Sequence, residues 1–144
     1  MPLYNISSRT RLPESVQKQV AQKVVDVHCG LTGAPETFVN VVFFENTPLR
    51  PGISHHIGAN VRKGRTGEMN ETLTQEMLNQ LADVISVSNA AMEISLFEMP
   101  AQWIMEGGEI LPEPGEEAFC EWLQKQQQEE REQEERELAV AKAS

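Results

Sequence analysis

ESVQKQVAQKVVDVHCGLTG (residues 14–33), followed after a short break by TFVNVVFF (residues 37–44), decides the fold. In the first stretch Val16, Val20, Val24, Val27 and Leu31 recur three or four residues apart, the spacing of one apolar stripe on an amphipathic helix. Pro13 and Glu14 suit its first turn, where a missing N–H costs little and an acid complements the helix dipole. Gly33 suits its end, because glycine adopts the left-handed C-terminal conformation freely. The second stretch is dense in β-branched and aromatic residues and predicts a buried strand. Upstream, LYNISS (residues 3–8) alternates loosely, as an opening strand does. Strand, helix and strand make one βαβ unit.

Downstream, NTPLRPG (residues 46–52) is turn chemistry. The same order then returns. Residues 53–61 read as a strand, and residues 71–89 carry Leu73, Met77, Leu78, Leu81, Val84 and Ile85 at helical spacing. Residues 92–98 alternate as a strand does. Two βαβ units in tandem predict an α+β fold: a four-stranded mixed sheet with both helices on one face. The face without helices would need a partner, so an oligomer is expected. Residues 100–114, rich in Pro, Gly and Glu, read as an ordered loop. From Glu116 the chain favours helix, with Phe119, Trp122 and Leu123 as an apolar foothold. The run QQQEEREQEERE (residues 126–137) has no apolar stripe and predicts a solvated, frayed or disordered helix. The expected division is a domain over 2–114 and an acidic, helix-prone C-terminal tail over 115–144.

At 144 residues and 40% hydrophobic, the chain fits one domain that buries a core unaided. The net charge of −10 argues against nucleic acid as a partner. Half of that charge lies in residues 115–144, with nine Glu against four Lys and Arg, so the acidity says little about the rest. No run approaches the length of a membrane span, and the start shows no signal-peptide core. Cys29 and Cys120 form no framework or CxxC pair, which suits a reduced, cytoplasmic compartment.

The chemistry begins at Pro2. Removal of Met1 ahead of a small residue leaves a secondary amine, and an α-amino group titrates at about 7.7–8.0. Burial or a nearby cation lowers that value toward the range where a general base works best. Other candidates are weaker. His55 and His56 are adjacent and would point to opposite faces of a strand, so they cannot grip one metal together. Cys29 and its neighbour His28 diverge by about 100° around a helix. No HExxH, P-loop or dinucleotide glycine motif is present.

DVHCGLTG (residues 26–33), Arg62 and Arg65 of RKGR, and FEMPAQWIMEGGEILPEPG (residues 97–115) resemble the cis-3-chloroacrylic acid dehalogenase group of the tautomerase superfamily. The resemblance runs from Pro2 to about Glu117. It implies two βαβ units assembled as a homotrimer, and cofactor-independent, metal-free catalysis with Pro2 as acid or base. It further implies that His28 helps hold a carboxylate or carbonyl oxygen. Arg62 and Arg65 would bind a carboxylate, a task suited to their planar, permanently charged forks. Glu106 matches the family's water-activating carboxylate.

The dehalogenase also uses a Tyr in the strand before EMPAQ, where this chain has Ser95, or Leu96 after a one-residue shift. Trp103 replaces a polar residue of that pattern and would wall the pocket or pack on the sheet. The expected reaction is therefore keto–enol tautomerisation of a small 2-keto or α,β-unsaturated carboxylate. Hydration or dehalogenation of a 3-haloacrylate-like acid through Glu106, and decarboxylation of a 3-oxo acid, are the family's alternatives. A non-catalytic trimeric binding protein is the rival from another class.

Overall fold

The computed structural model describes residues 2–144; Met1, whose removal the use of Pro2 as an amine requires, lies outside the described residues. The chain divides into two compact units, the first ending at Met99 and the second comprising Pro100–Ser144.

In the first unit the two predicted βαβ units are present as β1 (Leu3–Ser8), α1 (Glu14–Thr32) and β2 (Asn40–Phe44), then β3 (His55–Arg62), α2 (Gly67–Ile85) and β4 (Met92–Met99). They join into one mixed sheet of order β2-β1-β3-β4. β1 and β2 are parallel, β3 and β4 are parallel, and the central pair β1 and β3 is antiparallel.

Boundaries moved where local chemistry outweighed periodicity. Residues 37–38, read as the start of a strand, belong to a 3₁₀ turn, Glu36–Phe38, ahead of β2. α2 starts earlier than its apolar pattern because Thr66 caps it, its Oγ1 accepting from the Met69 N–H at 3.1 Å. It stops at Ser86, which takes the left-handed conformation at φ 64°.

One sheet face packs against both helices. Tyr4, Ile6, Ile57, Ala59 and Val61 from the central strands meet Val20 and Val24 of α1 and Leu73, Met77 and Leu81 of α2, all buried in one apolar cluster. Strand alternation sends the remaining side chains to the other face. That face is mixed rather than simply apolar: Asn5, Ser7, His56, Asn60 and Ser95 share it with Val42, Phe44 and Phe97, which are exposed.

The second unit contains more structure than the loop expected from its Pro and Gly content. A 3₁₀ turn at Ala101–Trp103 precedes a hairpin of β5 (Met105–Glu106) and β6 (Glu109–Ile110). Gly107 and Gly108, both at positive φ, make its two-residue turn. α3 (Glu121–Ala143) is a continuous 23-residue helix. Local pairs support it, including Gln128 to Glu132 at 3.0 Å, Gln133 to Glu137 at 3.1 Å, and the Arg136–Glu132 ion pair at 3.5 Å. Of the expected foothold Leu123 is buried, whereas Phe119 is 85% exposed. Among the described residues no helix is long and apolar enough to cross a membrane.

Candidate active site

A βαβ unit returns its helix antiparallel to its strands, so the last turn of α1 comes back over the beginning of β1. His28 lies in that last stretch and is fully buried, one turn beyond Val24 and two beyond Val20. It occupies the core stripe itself. Val27 and Leu31, the sequence's nominal stripe members, are only partly buried beside it.

The antiparallel pairing of β1 with β3 brings a second set of residues to the same end. Leu3 lies opposite Asn60, so Pro2 falls beside Val61 and the strand's last residue, Arg62, reaches the head of β1. Pro2 is buried, and its carbonyl accepts from the Asn40 N–H at 3.0 Å. After Arg62 the chain turns through Gly64, at φ 115°, a conformation that favours glycine. Arg65 therefore folds back and donates from its guanidinium to the Arg62 carbonyl at 3.3 Å.

The sequence reading missed Tyr4. It is the chain's single tyrosine, two residues beyond Pro2 on the buried side of β1. Its hydroxyl and His28 Nδ1 are 2.7 Å apart, and the two rings meet edge-on at 75°. Strand period alone could have placed Tyr4 beside Pro2, but its partner is 24 residues away and only the fold joins them. His28 Nε2 is buried with no hydrogen-bond partner among the described residues.

Electrostatics separates this end of the sheet from the rest. Burial first, then the charges of Arg65 and Arg62, bring the His28 imidazole down to about 3. The ring is neutral over the physiological range. Burial raises the Tyr4 phenol well above its usual value, against the opposing pull of Arg65. Strong perturbation by burial together with named charges is a mark of functional sites. Cys29 does not share it usefully: burial, Glu36 and Asp26 raise its thiol, the wrong direction for a nucleophile. Among the described residues no group of three or more His, Cys, Asp or Glu is placed to hold a metal ion.

No protein-family model matches the chain, and no curated protein matches it. Solved structures do. One match is N1, a member of the cis-3-chloroacrylic acid dehalogenase family, at 27% identity and a TM-score of 0.75 over 84% of this chain and 90% of that one. The chain has the tautomerase-superfamily fold and is similar to the superfamily's cis-3-chloroacrylic acid dehalogenase group. Two further matches share the tautomerase fold. The wild-type F6 fused 4-OT asymmetric trimer is 18% identical, with a TM-score of 0.69 over 76% of this chain and 95% of that one. Pt0534 inactivated by 2-oxo-3-pentynoate is 20% identical, with a TM-score of 0.67 over 76% and 94%.

Against that family pattern, Pro2, His28, Arg62 and Arg65 come together at one end of the first unit, with Tyr4 among them. Ser95, which an ungapped match sets against the dehalogenase's Tyr, stands opposite Gly58 on the other sheet face, and its Oγ lies 2.9 Å from His56 Nε2. Within one chain it is on the wrong side of the sheet to reach His28. Glu106 and Trp103 belong to the second unit. Glu106 pairs with Glu109 across the β5–β6 hairpin, and Trp103 ends the 3₁₀ turn with its side chain 68% exposed.

Proposed function

We propose that the chain is a cofactor-independent enzyme that interconverts the enol and keto forms of a small 2-oxo carboxylate, with the Pro2 amine as its acid/base. The observation that carries this reading is the convergence of His28, Arg62 and Arg65 on the end of the sheet where β1 begins. Ketonisation takes a proton from the enol hydroxyl and delivers one to C3, and a secondary amine with a near-neutral pKa does both in turn. Two guanidinium groups hold the carboxylate, stabilise the enolate and depress the ammonium. Hydration of an unsaturated acid would require Glu106 and an aiming phenol, and Ser95 supplies no phenol. The enzyme works as a homotrimer in the cytoplasm, its mixed open sheet face covered by two further copies.

The compound that inactivates Pt0534, 2-oxo-3-pentynoate, is itself a 2-oxo acid, and its ketone-conjugated alkyne accepts a nucleophilic amine. Mature protein incubated with it should gain one equivalent of its mass, on the peptide that begins at Pro2. Phenylenolpyruvate should be ketonised. Pro2→Ala should lower kcat/KM by roughly 10²–10⁴, the span of a positioned acid/base, while Glu106→Gln leaves ketonisation standing. An unmodified Pro2, or an undiminished rate in Pro2→Ala, removes Pro2 from the mechanism and favours the binding-protein reading.

A further inference from the structure

We propose that Tyr4 is a positioning residue that holds His28 as its Nε2–H tautomer, so that the buried ring presents a single neutral N–H donor to the substrate. The inference rests on the functional reading above and deepens it by naming which acids the site accepts.

The argument is one of proton accounting. Tyr4 is fully buried, and its hydroxyl has one polar partner among the described residues, His28 Nδ1 at 2.7 Å. A phenol both donates and accepts, whereas a neutral imidazole donates from one nitrogen and accepts at the other. If Nδ1 carried the proton, it would donate to the tyrosine oxygen. The phenolic proton would then have no acceptor in a buried place, and an orphan of that kind costs about 1–3 kcal/mol. If the phenol donates to Nδ1, the phenolic proton is paired, the imidazole proton sits on Nε2, and that one proton is what remains for a substrate to meet. The edge-on ring contact, with centroids 5.6 Å apart, holds the two in this relation. Burial keeps the phenol protonated and the imidazole uncharged, which removes the remaining alternatives.

The consequence falls on the other side of the ring. Nε2–H is then a buried donor without a partner among the described residues. It is part of the same end of the sheet as Arg62 and Arg65, whose charges both act on His28. All of these groups donate and none accepts. Such a set fits a carboxylate whose adjacent carbon bears an oxygen acceptor, as in a 2-oxo acid or its enolate. It rejects an acid whose adjacent carbon bears an ammonium, because that group cannot accept a hydrogen bond and would face two guanidinium charges.

Long-range ¹H–¹⁵N spectra of protein labelled at histidine nitrogen test this directly, since the sequence holds only three histidines. His28 should show a protonated Nε2 and a bare Nδ1 at neutral pH. Tyr4→Phe should lose that pure pattern and give a mixture of tautomers. Pyruvate should shift the Nε2–H resonance of the wild type, and L-alanine at the same concentration should not. A protonated Nδ1 in the wild type overturns the proposal whether or not Tyr4→Phe folds. So does an unchanged tautomer in Tyr4→Phe, or an equal response to alanine. These readouts need no turnover, so a failed Pro2 mechanism leaves them intact and the two failures can be told apart.

Discussion

The two ends of the central strand pair carry the same kinds of residue and use them differently. At one end, where β1 begins and β3 finishes, stand Tyr4, His28, Arg62 and Arg65. At the other, where β1 finishes and β3 begins, stand Ser8, Arg9, Ser54 and His55, with Ser8 opposite His55. The second set completes itself. Arg9 donates to the carbonyls of Ile53 and Arg50 at 2.8 Å each and also to that of Leu49. His55 Nδ1 lies 2.7 Å from Ser54 Oγ. Arg9 is thereby a clasp for the turn through residues 49–53. At the first end a buried imidazole nitrogen has no partner among the described residues, and two guanidinium charges act on that ring. Residue type does not distinguish a clasp from a site; incomplete satisfaction of a buried group does.

Arginine substitution should break this symmetry most visibly. Arg62→Ala or Arg65→Ala should lower kcat/KM for ketonisation by roughly 10²-fold or more, in line with about 2–5 kcal/mol for a charged partner lost from a desolvated pair. Their melting temperatures should stay near that of the wild type. A variant of either kind with full activity would mean that the arginines at this end are structural too.

The histidines sharpen the comparison through pH. Burial, with the charges of Arg65 and Arg62, holds His28 near 3 in the folded chain, against about 6.5 unfolded. Below 6.5 the unfolded chain binds the extra proton, so stability falls as pH drops from about 6.5 toward 3 and is flat above. The slope contributed by His28 should approach about 1.4 kcal/mol per pH unit in that window. His55 is lowered by burial alone, less strongly, and acts in the same direction. Urea unfolding from pH 4 to 7 should therefore flatten more in His28→Gln than in His55→Gln. Equal slopes would show the two rings to be equivalently buried. Activity between pH 4 and 8 should carry no limb from His28.

Arg9→Ala should show the smallest effect, on stability alone. Three carbonyls lose their donor, two of them through exposed bonds, and the cost should be about 1–3 kcal/mol in denaturant unfolding. Ketonisation by the folded variant should be unchanged. A loss of activity without a loss of stability would place the clasp in the active site.

Periodicity in the sequence was enough for both βαβ units, because helix and strand spacing are local consequences of which side chains face a core. Pro2, His28, Arg62 and Arg65 were singled out as candidates through the family's motif spacing. Other features lay beyond any local reading. His28 looked like a polar residue beside an apolar stripe, yet it is the stripe's third buried member, since the rotation of α1 on the sheet decides which face is inward. Tyr4 gave no signal because its role depends on a residue 24 positions away. That meeting follows from α1 running back along β1, and the arrival of Arg62 follows from the antiparallel register of β1 and β3. The side of the sheet taken by Ser95 follows from its pairing with Gly58. Sequence determined the elements and the chemical inventory of this protein, because propensity and periodicity act over a few residues. Tertiary structure decided which of those groups share an end of the sheet and that the His28 Nε2 there lacks a partner among the described residues, because register and helix return direction are properties of the whole packed fold.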